Sequence, residues 1–487
     1  KPLVDLPFTA GAAYTIDKTR PTVTVEQAAG QVDPTNAGPV RFRVVFSEPI
    51  DTTSFTAADV ALGGTASPTN AVITALAPND GTTFQLAVSG MTNDGTVTTA
   101  IPAGAVRDLA GNPNLASTST DNTVAYDATA PGGTVEQAAD QPDPAPAAPI
   151  RFTVVFDEPV TGFDEADIIL GGTAGATIVV VTELAPNDGT TFEVAVGGMT
   201  SAGTVTASVA AGAASDAAGN TSAASSSADN TVTFAPPAPV VTGIARADAD
   251  PTRAASVSFI VIFSADVTGV DPGDFALTTG GGISGAAVTG VSGAGATRTV
   301  TVSTGAGSGT LRLDLIDDDS IVDGFGGALG GAGAGNGDFS GGQHYTIDRE
   351  APQAGQLSVP AAVAGAADLT FTVVFSDNLA VSAASLATGA IEVRGPGGFS
   401  QLAALVGVSP ADDGTPLTAT YRLAAPGGAW DSADNGEYRV SLAAGRVRDG
   451  AGNAAAAAEL GAFTVSLEEA PATFRLYLPL FHLREEP

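Results

Sequence analysis

The chain repeats itself. Phe42–Pro49 reads FRVVFSEP and Phe152–Pro159 reads FTVVFDEP, while Leu76–Phe84 (LAPNDGTTF) returns unchanged as Leu184–Phe192. A copied module of roughly 110 residues argues against one continuous core and for a series of similar domains. Such an array suits spanning, holding or displaying something better than it suits a single active site.

Within a module the pattern is that of strands. Val40, Phe42, Val44 and Phe46 alternate with Arg41, Arg43 and Val45, the period of two expected of a strand with one buried face. Asn79-Asp80-Gly81 predicts a hairpin between Val72–Leu76 and Thr83–Val88, and Val97–Ile101 and Thr123–Tyr126 supply later strands. The 60 glycines and 31 prolines fit many tight turns, and 44% apolar residues suffice for a core in each module. About seven strands per module is the count of an immunoglobulin-like sandwich. The expectation is therefore all-β, with four tandem immunoglobulin-like β-sandwich domains in an elongated rod. They cover residues 19–129, 130–236, 237–350 (divergent) and 351–471, each opening after a proline: Pro21, Pro131, Pro239 and Pro352. In the fourth, Asp434-Asn435-Gly436-Glu437-Tyr438 has the DxGxY form that places a tyrosine at the start of strand F, with Val97 and Leu311 at the equivalent position.

Several functions are disfavoured at once. A net charge of −33, with lysine only at Lys1 and Lys18, opposes nucleic-acid binding. The lack of cysteine removes disulfides, thiol chemistry and thiolate-bound zinc. No run approaches the ~20 apolar residues of a membrane span. A chain that begins at Lys1 without a signal peptide fits a processed polypeptide.

The string from FSEP (Phe46–Pro49) through AADV (Ala57–Val60), DLAGN (Asp108–Asn112) and DNTV (Asp121–Val124) resembles bacterial Ig-like repeats of large surface adhesins, biofilm proteins and secreted multidomain proteins. The likeness covers the first two modules almost fully, the fourth partly and the third weakly. It implies an extracellular, bacterial cell-surface, elongated and non-catalytic protein, and it names no ligand.

Catalysis finds little support. Only two histidines occur, His344 and His482, so serine has no plausible histidine partner within any one module, and no HExxH, GxSxG or phosphate loop occurs. Trp430, the sole tryptophan, reads as a core or rim residue, so no aromatic sugar platform accompanies the plentiful carboxylates. The acids that recur are more informative. In an Ig-like sandwich the linker, the end of strand B and the F–G loop meet at the end where the chain enters. Asp17, Glu48, Asp108 and Asn112 hold those places in the first module, and Asp127, Glu158, Asp216 and Asn220 in the second. Asp348, Asp377, Asp449 and Asn453 hold them in the fourth. Three carboxylates and an amide form a hard, oxygen-rich site suited to calcium. Each Asp-x-x-Gly-Asn loop is also explained as a plain turn, and the joint recurrence is what favours the cation. The third module is a control: Ala235 and Gly327 break the pattern, leaving Asp266 and Asp323. Asp317-Asp318-Asp319 reads as a solvated turn or a loose cation site. Asp59, Asp167 and Asp274 read as turn caps, and the Asp-Pro pairs at Asp33, Asp143 and Asp250 as turn starters at the opposite end.

Both ends read as strands without a domain. Phe8–Pro21 (FTAGAAYTIDKTRP) matches Phe339–Pro352 (FSGGQHYTIDREAP), which closes the third module, so residues 1–18 read as an orphan closing strand. The fourth module's own closing strand is expected at Ala462–Leu467. Beyond it Ala472–Leu483 (ATFRLYLPLFHL) lines Phe474, Leu476, Leu478 and Leu480 on one face of a tail, 472–487. The expected role is a structural or adhesive subunit that assembles head to tail with itself by terminal strand exchange and also meets other cell-surface components. A stalk fragment of a giant adhesin, or spacer domains of a secreted hydrolase, are the alternatives.

Overall fold

The computed structural model describes residues 11–387 and 389–469. Alternating apolar residues make the first stretch a stack of short strands: β1 (Val23–Gln27), β2 (Val40–Phe46), β3 (Ala61–Gly63), β4 (Asn70–Ala75), β5 (Thr83–Ser89), β6 (Gly95–Ala100) and β7 (Thr123–Tyr126). They form two antiparallel sheets, ordered β1-β2-β5-β4 and β3-β6-β7. This is the A-B-E-D and C-F-G order of a constant-type immunoglobulin sandwich. Register follows the hydrophobic pattern, with Val40 opposite Val88, Phe42 opposite Leu86 and Val44 opposite Phe84. Those six side chains are buried, and together with Val97 of β6 and Val124 of β7 they make one core from both sheets. Full burial of a Val, Leu or Phe side chain is worth about 1.5–3 kcal/mol, so these strands are held mainly by this face.

The second stretch repeats the plan with β8 (Gly133–Gln137), β9 (Ile150–Phe156), β10 (Ile168–Gly171), β11 (Ile178–Glu183), β12 (Thr191–Gly197), β13 (Gly203–Val209) and β14 (Thr231–Phe234). Its sheets are ordered β11-β12-β9-β8 and β10-β13-β14. An edge-to-face triangle of Phe156, Phe163 and Phe192 copies that of Phe46, Phe55 and Phe84. Two further separate cores follow, one around Phe259, Leu313 and Tyr345, the other around Phe371, Trp430 and Tyr438. Each again lies between a four-stranded sheet and a second sheet containing the F-type strand. The chain divides into two compact units, up to Pro237 and from Ala238.

Local chemistry recurs as faithfully. The F-type strands begin at Gly95, Gly203, Gly309 and Gly436, all at φ between 143° and 157°, where a side chain would strain the backbone. Val97, Leu311 and Tyr438 occupy the same register position and are all buried. The Tyr438 hydroxyl donates to the Asp434 carbonyl at 3.0 Å, closing a tyrosine corner. Asp59, Asp167 and Asp274 cap short 3-10 turns, accepting from the N–H of Thr56, Asp164 and Asp271. Asp33, Asp143 and Asp250 accept from Ala125, Thr233 and Thr346, which ties the A–B loop to the closing strand.

Three expectations change. The closing strand of the fourth stretch runs Ala458–Val465, earlier than Ala462–Leu467, because it pairs along the whole of Gly436–Leu442, with a bulge between Val440 and Ser441. Asp317 is buried rather than solvated: it accepts from Asp319 and Gly337, and its own N–H donates to Asp338, latching the glycine-rich loop that follows. Asp319 joins in by accepting from Gly333. Finally, residues 11–18 carry no strand, although Tyr14–Asp17 repeats the YTID of Tyr345–Asp348. The proposed tail, 472–487, lies outside the described residues.

Candidate metal centre

Each carboxylate group is assembled from three elements. In the first stretch, Asp108 sits between β6 and β7, where its Oδ1 accepts from the N–H of Ala110 (2.9 Å) and Asn112 (2.7 Å). Gly111, at φ 92°, allows the loop to close, and the Asp108 N–H donates to the Asn112 carbonyl. Asp216 and Asp449 are held alike, by Gly219 and Asn220 and by Asn453. Glu48, Glu158 and Asp377 follow within two residues of the strands that end at Phe46, Phe156 and Ser376. Asp17, Asp127 and Asp348 come from the linker, each fixed by an Asx turn from the N–H of Thr19, Thr129 or Glu350.

The structure brings all nine acids together as three groups. Asp17, Glu48 and Asp108 present carboxylate oxygens within 4.8 Å of one another. The same is true of Asp127, Glu158 and Asp216, and of Asp348, Asp377 and Asp449. The asparagines play a different part from the acids. Asn112 turns its amide nitrogen to Asp108 Oδ2 (2.7 Å) and to the Asp17 carbonyl (3.3 Å). Asn220 bridges Asp216 and the Asp127 carbonyl, and Asn453 bridges Asp449 and the Asp348 carbonyl. Asn112, Asn220 and Asn453 are thus stitches between linker and loop, which position the acids.

Crowding like charges has the expected electrostatic cost. Burial raises the Glu48 carboxyl above its ordinary value, and Asp17 and Asp108 push it further. Burial likewise raises Glu158, aided by Asp127, Asp216, Asp157 and Asp94, and raises Asp377, aided by Asp348 and Asp449. Burial would raise Asp108 and Asp216 too. There the Asn112 or Asn220 amide and the loop N–H groups outweigh it, and both carboxyls lie below the ordinary value.

The third stretch keeps the loop and loses the group. Asp323 accepts from Phe325 and Gly327, and Gly326 is at φ 81°, as in the other loops. The Ser264 N–H donates to the Val240 carbonyl as Ser47 does to Thr22, so Ala265, not Asp266, stands at the Glu48 position. Ala235 likewise stands at the Asp127 position, its N–H donating to Ala145 as that of Asp127 donates to Thr35. Among the described residues no trio of acids forms there.

Two contributors escape a reading of the sequence. Asn378 donates to Asp348 Oδ1 at 3.1 Å, at a place where Pro49 and Pro159 follow the acid in the first two stretches. Asp94 accepts from the Ala128 N–H and the Thr129 hydroxyl, clamping the linker beside Asp127. A break in the SEP/DEP repeat was the available signal for the first. The second has none, since Asp94 precedes the glycine of β6 like any turn acid.

A surface depression of about 500 Å³ is lined in part by Glu392, Arg394, Arg439 and Glu459. Arg394 and Ser400 hold Glu392 below its ordinary value, and Arg439 pairs with Glu459 at 3.0 Å. A carboxylate held ionised, as Glu392 is, makes a poor proton donor.

No known protein family matches the chain, and no curated protein does. Among solved structures it is similar to surface layer protein SbsC, domains 1-6, at 14% identity and a TM-score of 0.22, covering 95% of this chain and 56% of that one. It is also similar to S-layer protein rSbsC(31-844), at 13% identity and a TM-score of 0.22, covering 94% and 56%. The chain thus spans little over half the length of either.

Proposed function

We propose that this chain is a non-catalytic, structural protein of a bacterial cell surface, built from four tandem Ig-like sandwiches. The observation that carries the reading is the repetition of one sandwich plan around four separate apolar cores. Function of this kind resides in the array, since each copy repeats its neighbour's scaffold. The bacterial Ig-like resemblance of the first two stretches supports the location. Among the described residues no helix is long and apolar enough to cross a membrane.

Assembly by strand exchange is part of the proposal. Tyr345 and Ile347 are fully buried in a closing strand, with the Tyr345 hydroxyl donating to the Ser258 carbonyl. The identical Tyr14 and Ile16 are 89% and 79% exposed. Two large apolar side chains on an unpaired segment favour pairing with a sheet edge of another subunit. A contact of that kind is heterologous and propagates into a filament.

Negative-stain imaging of the purified protein tests both parts. Filaments are expected, and deletion of residues 1–16 or of 472–487 should leave folded, separate particles. If both truncated proteins form filaments normally, strand exchange is wrong. Separate rods from the intact protein would favour a stalk within a longer chain, where Tyr14–Asp17 closes a preceding sandwich.

A further inference from the structure

One of the three carboxylate groups keeps unpaired oxygens inside the protein. Asp348 is fully buried. Its Oδ1 accepts from the Glu350 N–H at 3.0 Å and from Asn378 Nδ2 at 3.1 Å, while its Oδ2 has no hydrogen-bond partner. Asp377 shows the same division: Oδ2 accepts from the Leu379 N–H at 3.1 Å, and the buried Oδ1 has no partner. Asp449 completes the group with both oxygens held by Asn453. Oxygens of all three acids lie within 4.8 Å of one another.

The arginines next to these acids in the chain are committed elsewhere, and Arg253, beside Gly452 of the Asp449 loop, is exposed. Arg349, next to Asp348 in the chain, donates to the Gly307 and Ala254 carbonyls and to the Thr304 hydroxyl. Arg448, next to Asp449, donates to the Gly452 carbonyl. Three acids therefore converge with two orphaned oxygens and no guanidinium among them. Buried charge left in that condition is strongly unfavourable, and a bound cation removes the penalty.

We propose that Asp348, Asp377 and Asp449 bind one calcium ion, through the free Oδ2 of Asp348, the free Oδ1 of Asp377 and a carboxylate oxygen of Asp449. All donors are hard oxygens, with none of the nitrogen or sulfur ligands that zinc prefers. Oxygens facing one another across calcium at about 2.3–2.6 Å would lie roughly 5 Å apart, which suits this spread. Magnesium keeps several waters, and a group with its linker acid sealed from solvent gives them little room. The ion would join the linker, the strand end and the Asp449 loop, locking the entrance to the fourth stretch. The Asp17 and Asp127 groups contain no buried unpartnered oxygen, and the proposal is confined to the Asp348 group.

The full chain, freed of metal by chelation, is titrated with calcium chloride in a calorimeter, and its amide exchange is followed with and without calcium. Asp377→Asn should weaken the tightest binding step by about tenfold or more, while Glu48→Gln and Glu158→Gln leave it unchanged. In the unaltered protein, which needs no variant to fold, calcium should slow exchange over 348–350, 377–381 and 449–453. The proposal is overturned if no binding step appears or if Asp377→Asn leaves the tightest step intact. It is equally overturned if exchange slows only around 108–112 and 216–220, or if magnesium at equal concentration protects as well as calcium.

Discussion

The Asp348 and Asp17 groups use the same three places in the same sandwich plan, yet one seals its linker acid in protein and the other leaves it half exposed. Local sequence is not the difference. Asp108 and Asp449 are held by the same Asp-x-x-Gly-Asn hydrogen bonds, and both linkers carry the same YTID. What differs lies around them. Tyr345 and Ile347 anchor Asp348 to a core, whereas Tyr14 and Ile16 are exposed; Asn378 reaches Asp348, where the first stretch has Pro49. The Asp127 group separates these causes. Its linker follows the paired strand β7, yet Asp127 remains half exposed with Pro159 beside Glu158. Anchoring alone does not bury the linker acid. A motif thus places ligands, and the neighbours decide how dry the site is.

The asparagine stitch gives the largest expected contrast. Asn453 is buried, and its loss leaves the Asp348 carbonyl and Asp449 Oδ2 without their donor. Asn453→Ala should cost about 1–3 kcal/mol, the range for orphaning buried acceptors. Asn112→Ala, at a half-exposed position where water can substitute, should cost less than about 1 kcal/mol. Chemical denaturation monitored by circular dichroism measures both. Equal losses would break the comparison, because burial would then have no bearing on the stitch.

A smaller effect changes sign. In chelator, Asp377→Asn removes a charge that burial, Asp348 and Asp449 all disfavour, and the melting temperature should rise by about 1–3 °C. In millimolar calcium the same variant should melt below the unaltered protein, having lost a ligand. Glu48→Gln should shift the chelated protein less, since solvent already screens its group. Absence of the crossover at Asp377 would mean that the buried acids are tolerated without a cation.

Much of this was legible in the sequence, and for a physical reason. The period-2 pattern of Val40–Phe46 fixes a strand and its buried face together, so register and sheet follow. The linker acid, strand-end acid and loop acid could be paired because repetition supplied three aligned examples. Residues without such a template were misplaced. Asp266 lies one position beyond the true equivalent, Ala265, because the third stretch lacks the SEP/DEP signature. Composition cannot tell which end of an amide faces a carboxylate, so sequence alone groups the asparagines with the acids. Asp317 reads as a solvated turn in sequence, although a glycine-rich loop folds over it.

The smallest expected effect is the pH dependence of the chelated protein. Glu48, Glu158 and Asp377 have folded-state values raised above the ordinary range of about 4, so the folded chain binds their protons more tightly than the unfolded chain does. The stability they confer is present in full below that range and is lost as pH rises through the raised values. Asp108 and Asp216 act oppositely: their contribution is present above about pH 4 and is lost as pH falls through their lowered values. On acidification from neutral pH towards the ordinary carboxylate range, the raised acids take up protons before the lowered ones. Without calcium, acidification across that window should therefore raise the melting temperature, by a degree or so. Below about pH 4 it should fall again. Saturating calcium should reverse the part of the upper limb that Asp377 contributes, since protons then compete with the ion for its carboxylate. Asp377→Asn should flatten that limb in the unit from Ala238 and leave the limb from Glu48 and Glu158. Scanning calorimetry of both proteins at intervals across the window decides the matter: a melting temperature that rises with pH in chelator would contradict the crowding of charge at all three groups.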